Sequence, residues 1–331
     1  MPRESQLVQK IARALSSSKR GDSRLRLGIG DDAAVVSTGG HAEWVLSCDT
    51  FLEDVHFRMR TQPPDSVGYK ALVRASSDLA AMGATPRYFL LTLAMPAAHT
   101  GAWLDAFLKG MARAARELGI SVIGGDTTRS RTVFISIAVL GEIAPGRALT
   151  RSGARPGDII YVSGELGRAQ LGLELVLRGH ARNRQLRALV QPHLYPKIRV
   201  ELGSWLARHR IATSAMDLSD GLSTDLARLC AASQVGAKIY ASKVPSVITP
   251  AVAVRKLGKR KLNPLQLALH GGDDYQLLFT VAARQTKKLN RAPGASTLTA
   301  IGEITRNRQF ILVAPDGREA PLNSQGWDPF R

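Results

Sequence analysis

Apolar residues along this chain form short continuous runs and longer periodic stretches. Short runs rich in β-branched and other apolar residues are typical of strands that are buried in a sheet. We predict strands at 44–50, 88–96, 132–143, 158–166, 276–283 and 310–315. Because these runs alternate with segments of helical spacing, the pattern favours an α/β or α+β protein.

Three segments have the spacing of helices. The clearest covers 103–119, where Gly119 ends the pattern. Its apolar positions are Leu104, Phe107, Leu108, Met111, Ala115 and Leu118. A second helix is predicted over 66–82, before Gly83, and a third over 7–15. The N-terminal segment carries charges throughout, so it lacks the apolar core of a secretory signal.

One stretch lacks both patterns. Residues 144–158 are rich in Gly, Pro and Arg and have little apolar periodicity, which is typical of a linker. A chain of 331 residues with 44% hydrophobic content is long enough for about two domains. We therefore predict a domain boundary here, with domains at 1–147 and 148–331.

The formal net charge is +18, a value that many nucleic-acid-binding proteins share. The basic residues are spread over the whole chain, with dense pieces at 178–187 and 254–261. Surfaces that bind single strands interleave basic and aromatic side chains, and neither piece does so. We interpret the charge as an arginine-rich solvated surface and expect no nucleic-acid partner.

The cysteine content is low, with Cys48 and Cys230 far apart in the sequence. Two cysteines argue against a disulfide scaffold and against a cysteine-based zinc site, and they fit a reducing compartment. No apolar run reaches the roughly 18 to 20 residues that a membrane-spanning helix needs. We expect a cytoplasmic protein without a membrane partner.

Aspartates gather in six short segments beside glycine or hydroxyl residues. They are GIGDD (28–32), SCDT (47–50), SSDLAAMGA (76–84), GGDTT (124–128), MDLSDG (216–221) and GGDDY (271–275). Turn chemistry explains any one of them. Six together predict a site for Mg²⁺, which prefers carboxylate oxygens and is typically held together with substrate phosphates. Since converging carboxylates need a cation, the pattern indicates metal-assisted phosphoryl transfer.

The segment LGIGDDAAVV (27–36) has the G-x-G-x-x-A spacing of a dinucleotide-binding loop. That loop requires a helix directly after it, but this segment continues into Val35 and Val36 without helical periodicity. The P-loop motif and the H-R-D and D-F-G sequences of protein kinases do not occur. In the context of the other five acidic segments, we interpret Asp32 as a metal ligand and Asp31 as a turn residue or as one that supports the metal ligands.

The acidic segments, in order and together with VHF (55–57), GRALTRSGA (146–154) and GWDPF (326–330), resemble those of the thiamine-monophosphate kinases. This family belongs to the superfamily that includes aminoimidazole ribonucleotide synthetase. The resemblance implies a two-domain α/β (α+β) PurM-like fold. Its N-terminal domain has a mixed sheet, binds ATP and Mg²⁺ and forms the dimer barrel with its helices, and its C-terminal α/β domain completes the active site.

The implied activity is transfer of the γ-phosphate of ATP to thiamine monophosphate, giving thiamine diphosphate and ADP. This is the last step of thiamine diphosphate biosynthesis and is expected to need no covalent enzyme intermediate. The resemblance further implies several Mg²⁺ ions, ATP as co-substrate and a homodimer formed through the N-terminal domains.

The resemblance assigns site residues by position. The implied metal ligands are Asp32, Ser47, Cys48, Asp49, Asp78, Asp126, Asp217 and Asp220. The implied ATP contacts are Gly125, Asp126, Arg151 and Ser219, and the implied thiamine phosphate contacts are His56, Asp273 and Trp327. The guanidinium of Arg151 suits phosphate, and the indole of Trp327 suits the thiazolium cation. Plainer interpretations stay open: a surface arginine, a packing tryptophan and a structural histidine.

Three positions depart from the family pattern. Cys48 stands where threonine is usual, Asp273 where glutamate is common and Asp54 where glycine is common. Because a thiol is a poor Mg²⁺ ligand, any metal contact from residue 48 would come from its main-chain carbonyl. The shorter Asp273 and the added charge of Asp54 bear on the substrate contacts.

Two other hypotheses are considered. The first is another ATP-using member of the superfamily, similar to selenophosphate synthetase or to the hydrogenase-maturation dehydratase. Those enzymes use a reactive cysteine near the N-terminus or at the C-terminus, whereas here no cysteine precedes Cys48 and the sequence ends in PFR. The second is a basic nucleic-acid-binding protein without catalysis, but acids that converge in a cleft would repel a polynucleotide.

Overall fold

The computed structural model describes residues 4–15, 24–257 and 262–330, so the end of the basic piece 254–261 lies outside the described residues. Within these ranges the chain forms two mixed β-sheets with helices packed against them. None of the helices in these ranges combines the length and the apolar character that crossing a lipid bilayer requires.

The helices are distributed along the whole chain. They are α1 (Glu4–Leu15), α2 (Pro64–Ala81), α3 (Ala102–Leu118), α4 (Arg168–Val176), α5 (Arg187–Leu194), α6 (Val200–His209), α7 (Leu222–Ser233), α8 (Ala251–Leu257) and α9 (Pro264–His270). The strands are β1 (Leu25–Leu27), β2 (Ala34–Ser37), β3 (Glu43–Leu52), β4 (Thr85–Met95), β5 (Ser121–Arg129), β6 (Phe134–Ile143), β7 (Asp158–Val162), β8 (Ala212–Asp217), β9 (Gly236–Tyr240), β10 (Leu277–Ala282), β11 (Thr299–Thr305), β12 (Phe310–Val313) and β13 (Glu319–Pro321).

The first sheet has the strand order β1-β2-β3-β6-β4-β5. Its neighbours pair antiparallel except for β4 and β5, which are parallel. The second sheet has the order β13-β12-β9-β11-β7-β10-β8 and is antiparallel except for the pair β9 and β12. The segment 144–157 joins the two sheets.

Helix α2 connects the two halves of the chain. Pro64 and Asp65 suit its first turn, and Gly83, with φ 75°, lies just past its end. All but four of its 18 residues are buried. It contacts β3 and β6 of the first sheet, and α6 and β8 of the second half. One apolar core therefore continues from the first sheet to Leu206 and Phe279.

The strands and helices that the sequence predicts are present, with small differences at their ends. For example, the helix predicted over 66–82 is α2, and the strand predicted over 44–50 is β3. The apolar pattern did not predict β5, because all its residues are exposed in a single chain and two of them are glycines. Gly125 is needed there, since a Cβ atom at this position would lie 1.8 Å from the carbonyl oxygen of Leu91 on β4.

Candidate active site

Three aspartates from distant parts of the sequence converge in a cleft between the two halves. Asp32 lies in the loop before β2, Asp78 in the last turn of α2 and Asp217 at the end of β8. Each offers one carboxylate oxygen, and these oxygens all lie within 4.8 Å of one another. We call Asp32, Asp78 and Asp217 the acidic trio. Packing of α2 against β3 and β8 brings its members together.

Three free carboxylates are unfavourable in this position. Burial raises the pKa of Asp32 to about 7, although Arg151 opposes the shift. Burial, followed by the charges of Asp217 and Asp32, raises the pKa of Asp78 well above its usual value. In addition, Oδ2 of Asp32 is buried without a hydrogen-bond partner among the described residues. This oxygen-only set with an unpartnered buried oxygen fits a divalent cation such as Mg²⁺.

Serine hydroxyls orient two members of the trio. Ser47 on β3 donates to the carboxylate of Asp78, and Ser77 donates to Oδ2 of Asp217 over 2.6 Å. The structure thus brings the predicted ligand Ser47 beside the trio. The neighbouring Cys48 has an exposed thiol. Because side chains alternate along a strand, that thiol points away from the face that carries Ser47.

Arg151 reaches into the cleft from the segment that joins the sheets. Its Nε donates to Oδ1 of Asp32 over 3.0 Å. Its backbone N–H donates to both carboxylate oxygens of Asp31 at 3.1 Å. Asp31 therefore anchors the loop, whereas Asp32 faces the cleft. The side chain of Arg151 is 22% exposed, so its guanidinium is accessible to an anionic ligand.

Asp49 pairs with an arginine in this structure and does not belong to the acidic trio. Arg74 of α2 donates to it from Nε over 2.6 Å and from a terminal nitrogen over 3.1 Å. Arg74 belongs to none of the sequence motifs described above. The available signal was spacing, because Lys70, Arg74 and Asp78 are each four residues apart and so share one face of the helix.

The loop after β8 carries the predicted residues Ser219 and Asp220. Buried Asp225 shapes this loop by accepting the backbone N–H groups of Ser219, Asp220 and Gly221. Arg228 donates to Asp220 over 2.5 Å and to Asp225 over 3.1 Å. Ser219 and Asp220 line the cleft, but the partner of Asp220 is an arginine, as it is for Asp49.

Two of the predicted substrate contacts, His56 and Trp327, lie on the walls of the same cleft. Burial, followed by the charge of Arg74, lowers the pKa of His56 to about 4. Its Nδ1 accepts the N–H of Leu52 over 3.1 Å, so the neutral ring carries its proton on Nε2. Trp327 is 48% exposed, and its backbone N–H donates to the carbonyl of Asp220 over 3.0 Å.

The third predicted substrate contact, Asp273, lies in the loop before β10 and also lines the cleft. Lys70 donates to its Oδ2 over 2.7 Å, and the hydroxyl of Tyr275 donates to its Oδ1 over 2.7 Å. Asp54 is a further acid in the cleft wall. Its φ of 61° lies in the region that favours glycine, which is the common residue at this position of the pattern.

Gly125 and Asp126 do not line the cleft that holds the trio. They lie on the exposed edge strand β5, where Oδ1 of Asp126 accepts the N–H of Thr127 over 2.8 Å. Within one chain, the described residues therefore do not place Asp126 beside the other predicted ligands. Its role in binding metal and ATP stays a prediction.

Two family models cover most of the chain. Residues 30–143 match AIR synthase related protein, N-terminal domain, and residues 155–314 match AIR synthase related protein, C-terminal domain. The thiamine-monophosphate kinase of Escherichia coli (strain K12) is 36% identical over 327 residues, which cover 97% of this chain and 97% of that protein. The chain belongs to the thiamine-monophosphate kinase family.

Further members of the thiamine-monophosphate kinase family agree with this result. The enzyme of Bacillus subtilis (strain 168) is 32% identical over 316 residues, covering 93% of this chain and 95% of that protein. A solved structure described as AaThiL complexed with AMPPCP and TMP is 32% identical, with a TM-score of 0.84 over 98% of this chain and 96% of that one. The predicted family and the two-domain PurM-like fold are confirmed.

Proposed function

We propose that this chain transfers the γ-phosphate of ATP to thiamine monophosphate, giving thiamine diphosphate and ADP. An oxygen of the acceptor phosphate attacks the γ-phosphorus while the bond to the bridging oxygen of ADP breaks, so no covalent bond to a side chain is required. Family membership supports this reaction, as does the relative described with AMPPCP and TMP. The observation that carries the proposal is the convergence of the acidic trio in the cleft.

The trio consists of the residues that would hold Mg²⁺. When bound, the ion neutralises phosphate charge and orients the transferring group. Asp49 and Asp220 are each neutralised by an arginine, so we propose that they bind further ions after exchanging these partners. The complete set of proposed ligands is Asp32, Ser47, the carbonyl of Cys48, Asp49, Asp78, Asp126, Asp217 and Asp220.

Arg151 and Ser219 are the proposed ATP contacts that line the cleft. The planar guanidinium of Arg151 donates several parallel N–H groups, which suits the oxygens of a phosphate chain. Because Arg151 also pairs with Asp32, it can hold the trio in place before nucleotide binds and then share its donors with phosphate.

Gly125 and Asp126 are the proposed ATP contacts on β5, and we propose that a homodimer makes use of them. Every residue of β5 is exposed, and the apolar residues Val122 and Ile123 are 60% and 54% exposed. An uncovered apolar edge strand is a ready surface for pairing with another chain. A second copy that packs on this strand covers it and brings Asp126 next to a partner subunit.

His56, Asp273 and Trp327 are the proposed contacts of the thiamine moiety. The Nε2–H of His56 is a donor, the carboxylate of Asp273 is an acceptor for an amino group, and the indole of Trp327 offers a face to the thiazolium cation. We propose a cytoplasmic location, since both cysteines are free and the thiol of Cys48 is exposed.

The test is an assay of the purified chain with ATP, Mg²⁺ and thiamine monophosphate, in which thiamine diphosphate and ADP are measured by chromatography. We expect equal amounts of both products and no reaction when EDTA removes the metal. Asp126→Asn should abolish product formation. A folded protein that binds Mg²⁺ and forms no thiamine diphosphate would overturn the proposal, and ADP formed without thiamine diphosphate would favour another acceptor.

A further inference from the structure

Lys70 is a charged residue in the buried middle of α2. Its side chain is 1% exposed, and its Nζ donates to Oδ2 of Asp273 over 2.7 Å. Lys70 belongs to the N-terminal half and Asp273 to the C-terminal half, so this ion pair joins the two halves at the wall of the cleft. A lysine is almost never fully buried unless it is paired, which makes Asp273 the reason that Lys70 is tolerated here.

A histidine fixes the orientation of the same ammonium group. Nδ1 of His193 lies 3.2 Å from Nζ of Lys70, and Nε2 of His193 lies 2.9 Å from the side-chain amide of Gln62. Burial, followed by the charge of Lys70, lowers the pKa of His193 to about 3. Since Nζ of Lys70 can only donate, the neutral ring accepts at Nδ1 and carries its own proton on Nε2, which faces the side-chain amide of Gln62.

The loop that carries Asp273 has an unfavourable backbone conformation. Asp273 has φ 68° and Tyr275 has φ 47°, both in the left-handed region that favours glycine. Backbone of this kind persists only where surrounding contacts determine it, and it is frequent at binding sites. The N–H of Asp273 donates to the carbonyl of Ser219 over 2.8 Å. Lys70 adds a restraint from the other half of the molecule.

We propose that Lys70 is a positioning residue for thiamine monophosphate, because it fixes the carboxylate of Asp273 that contacts the substrate. This inference rests on the proposed function, in which Asp273 contacts the thiamine moiety. Lys70 donates to Oδ2 and Tyr275 donates to Oδ1, so the carboxylate is fixed in one orientation toward a ligand in the cleft. Asp78 lies eight residues further along α2, so the same helix sets the distance between this carboxylate and the trio.

Lys70 also keeps Asp273 ionised. Burial acts to raise the pKa of Asp273, but the charge and hydrogen bond of Lys70, together with the charge of Arg74, outweigh burial and hold the pKa below its usual range. An ionised carboxylate accepts a stronger hydrogen bond from an amino group than a protonated one does. A neutral side chain at position 70 would therefore both release Asp273 and favour its protonated form.

The experiment is steady-state kinetics of Lys70→Met, Asp273→Asn and the double variant, with each substrate varied in turn. We expect Lys70→Met to raise KM for thiamine monophosphate at least about tenfold and to change KM for ATP less than about twofold. If the two residues act as a unit, the double variant has no higher KM for thiamine monophosphate than the single variant with the higher KM. Lys70→Arg keeps the charge and should recover part of the affinity.

Tyr195→Phe is the matched control. It removes the 2.7 Å hydrogen bond from Tyr195 to Asp65, which also links α2 to the end of α5 but lies outside the cleft. We expect it to lower Tm and leave both KM values unchanged. Equal effects of Lys70→Met on both substrates, or an unchanged KM for thiamine monophosphate, would overturn the inference.

The outcomes separate this inference from the proposed function. If the wild-type chain forms no thiamine diphosphate, the proposed function is overturned, whereas calorimetric titration with thiamine monophosphate still reports on the Lys70–Asp273 pair. If Lys70→Met does not fold, the same comparison is made with Asp273→Asn and Lys70→Gln. A folded Asp273→Asn variant with unchanged affinity for thiamine monophosphate then overturns the inference.

Discussion

Asp32, Asp78 and Asp217 place three carboxylates where a folded chain rarely keeps like charges together. Other buried acids of this protein have local structural partners. Asp274 accepts two N–H groups at the start of α4, and Asp225 accepts three in the loop after β8. The trio has an unpartnered oxygen and converges on one point. The convergence and the unpartnered oxygen, rather than burial alone, therefore distinguish the trio from the structural acids.

Without bound metal, the free energy of unfolding should fall as pH rises through the neutral range. Burial raises the folded-state pKa of Asp32 to about 7 and that of Asp78 well above its usual value. A carboxyl group whose pKa is higher in the folded state stabilises the fold fully at pH values below its unfolded-state pKa of about 4. This stabilisation is lost as the pH rises through the folded-state pKa. Thermal melts in EDTA should therefore give a lower Tm at about pH 8 than at about pH 5.5, and Mg²⁺ should restore it. A Tm that responds to neither pH nor Mg²⁺ would contradict this.

Replacing one member of the trio should separate stability from activity. Asp78→Asn removes repulsion and a metal ligand together, so we expect a Tm higher by a few degrees in EDTA at about pH 8, with diphosphate formation lost. Asp316→Asn is the control, because Asp316 is a surface acid paired with Arg318. It should change neither quantity. A lower Tm for Asp78→Asn would show that the carboxylate is structural.

Helix α2 carries residues for both sides of the site. It is buried on nearly all sides, so apolar periodicity does not show which face meets the cleft. Lys70, Arg74 and Asp78, four residues apart, mark that face. Helix α2 also packs closely against α3. A Cβ atom at Gly110 of α3 would lie 1.8 Å from the carbonyl oxygen of Asp65 in the first turn of α2.

A methyl group at this helix contact should destabilise the fold. Gly110→Ala forces α2 and α3 apart, and we expect a loss of about 1–3 kcal/mol in the free energy of unfolding. Urea denaturation monitored by circular dichroism measures it. Ala112→Ser adds one atom to the exposed face of α3 and should cost less than about 0.5 kcal/mol. Equal stability of Gly110→Ala and the wild type would mean that the helices can move apart freely.

Charge is divided between the exterior and the cleft of the whole molecule. The net charge is +18, yet the cleft collects the trio together with Asp49, Asp54, Asp220 and Asp273. We expect the excess of basic residues to raise the local concentration of anions such as nucleotides, and the acids in the cleft to favour anions that arrive with a metal ion. Both proposed substrates carry phosphate.

The exposed strand β5 is the surface through which we expect two chains to form a dimer. Ile123→Glu places a charge on the proposed dimer surface, so sedimentation should change from twice the mass of one chain to the mass of one chain. Activity should fall at least about tenfold, because Asp126 then has no partner subunit. Val254→Glu is the control on α8, where Val254 is 51% exposed. A wild-type monomer with full activity would rule out the dimer proposal.

The sequence by itself determined the family, the two-domain α/β fold, and three of the nine α-helices and six of the thirteen strands in the part of the chain that the structure describes. These depend on local periodicity and on ordered motifs, which need no knowledge of distant contacts. The acidic segments beside glycines contain all three acids of the trio, and the family resemblance assigned these acids as metal ligands. The edge strand β5 escaped, since its pattern lacks the apolar residues that burial in a single chain would require.

Only the tertiary structure decided which acids meet. Asp32, Asp78 and Asp217 converge because α2 packs between β3 and β8. Asp49 and Asp220 have the same sequence signature, but arginines on α2 and α7 hold them. The pairing of Lys70 with Asp273 was equally invisible in the sequence. Such contacts join residues far apart in the chain, and side-chain direction and helix packing, which no local pattern specifies, determine them.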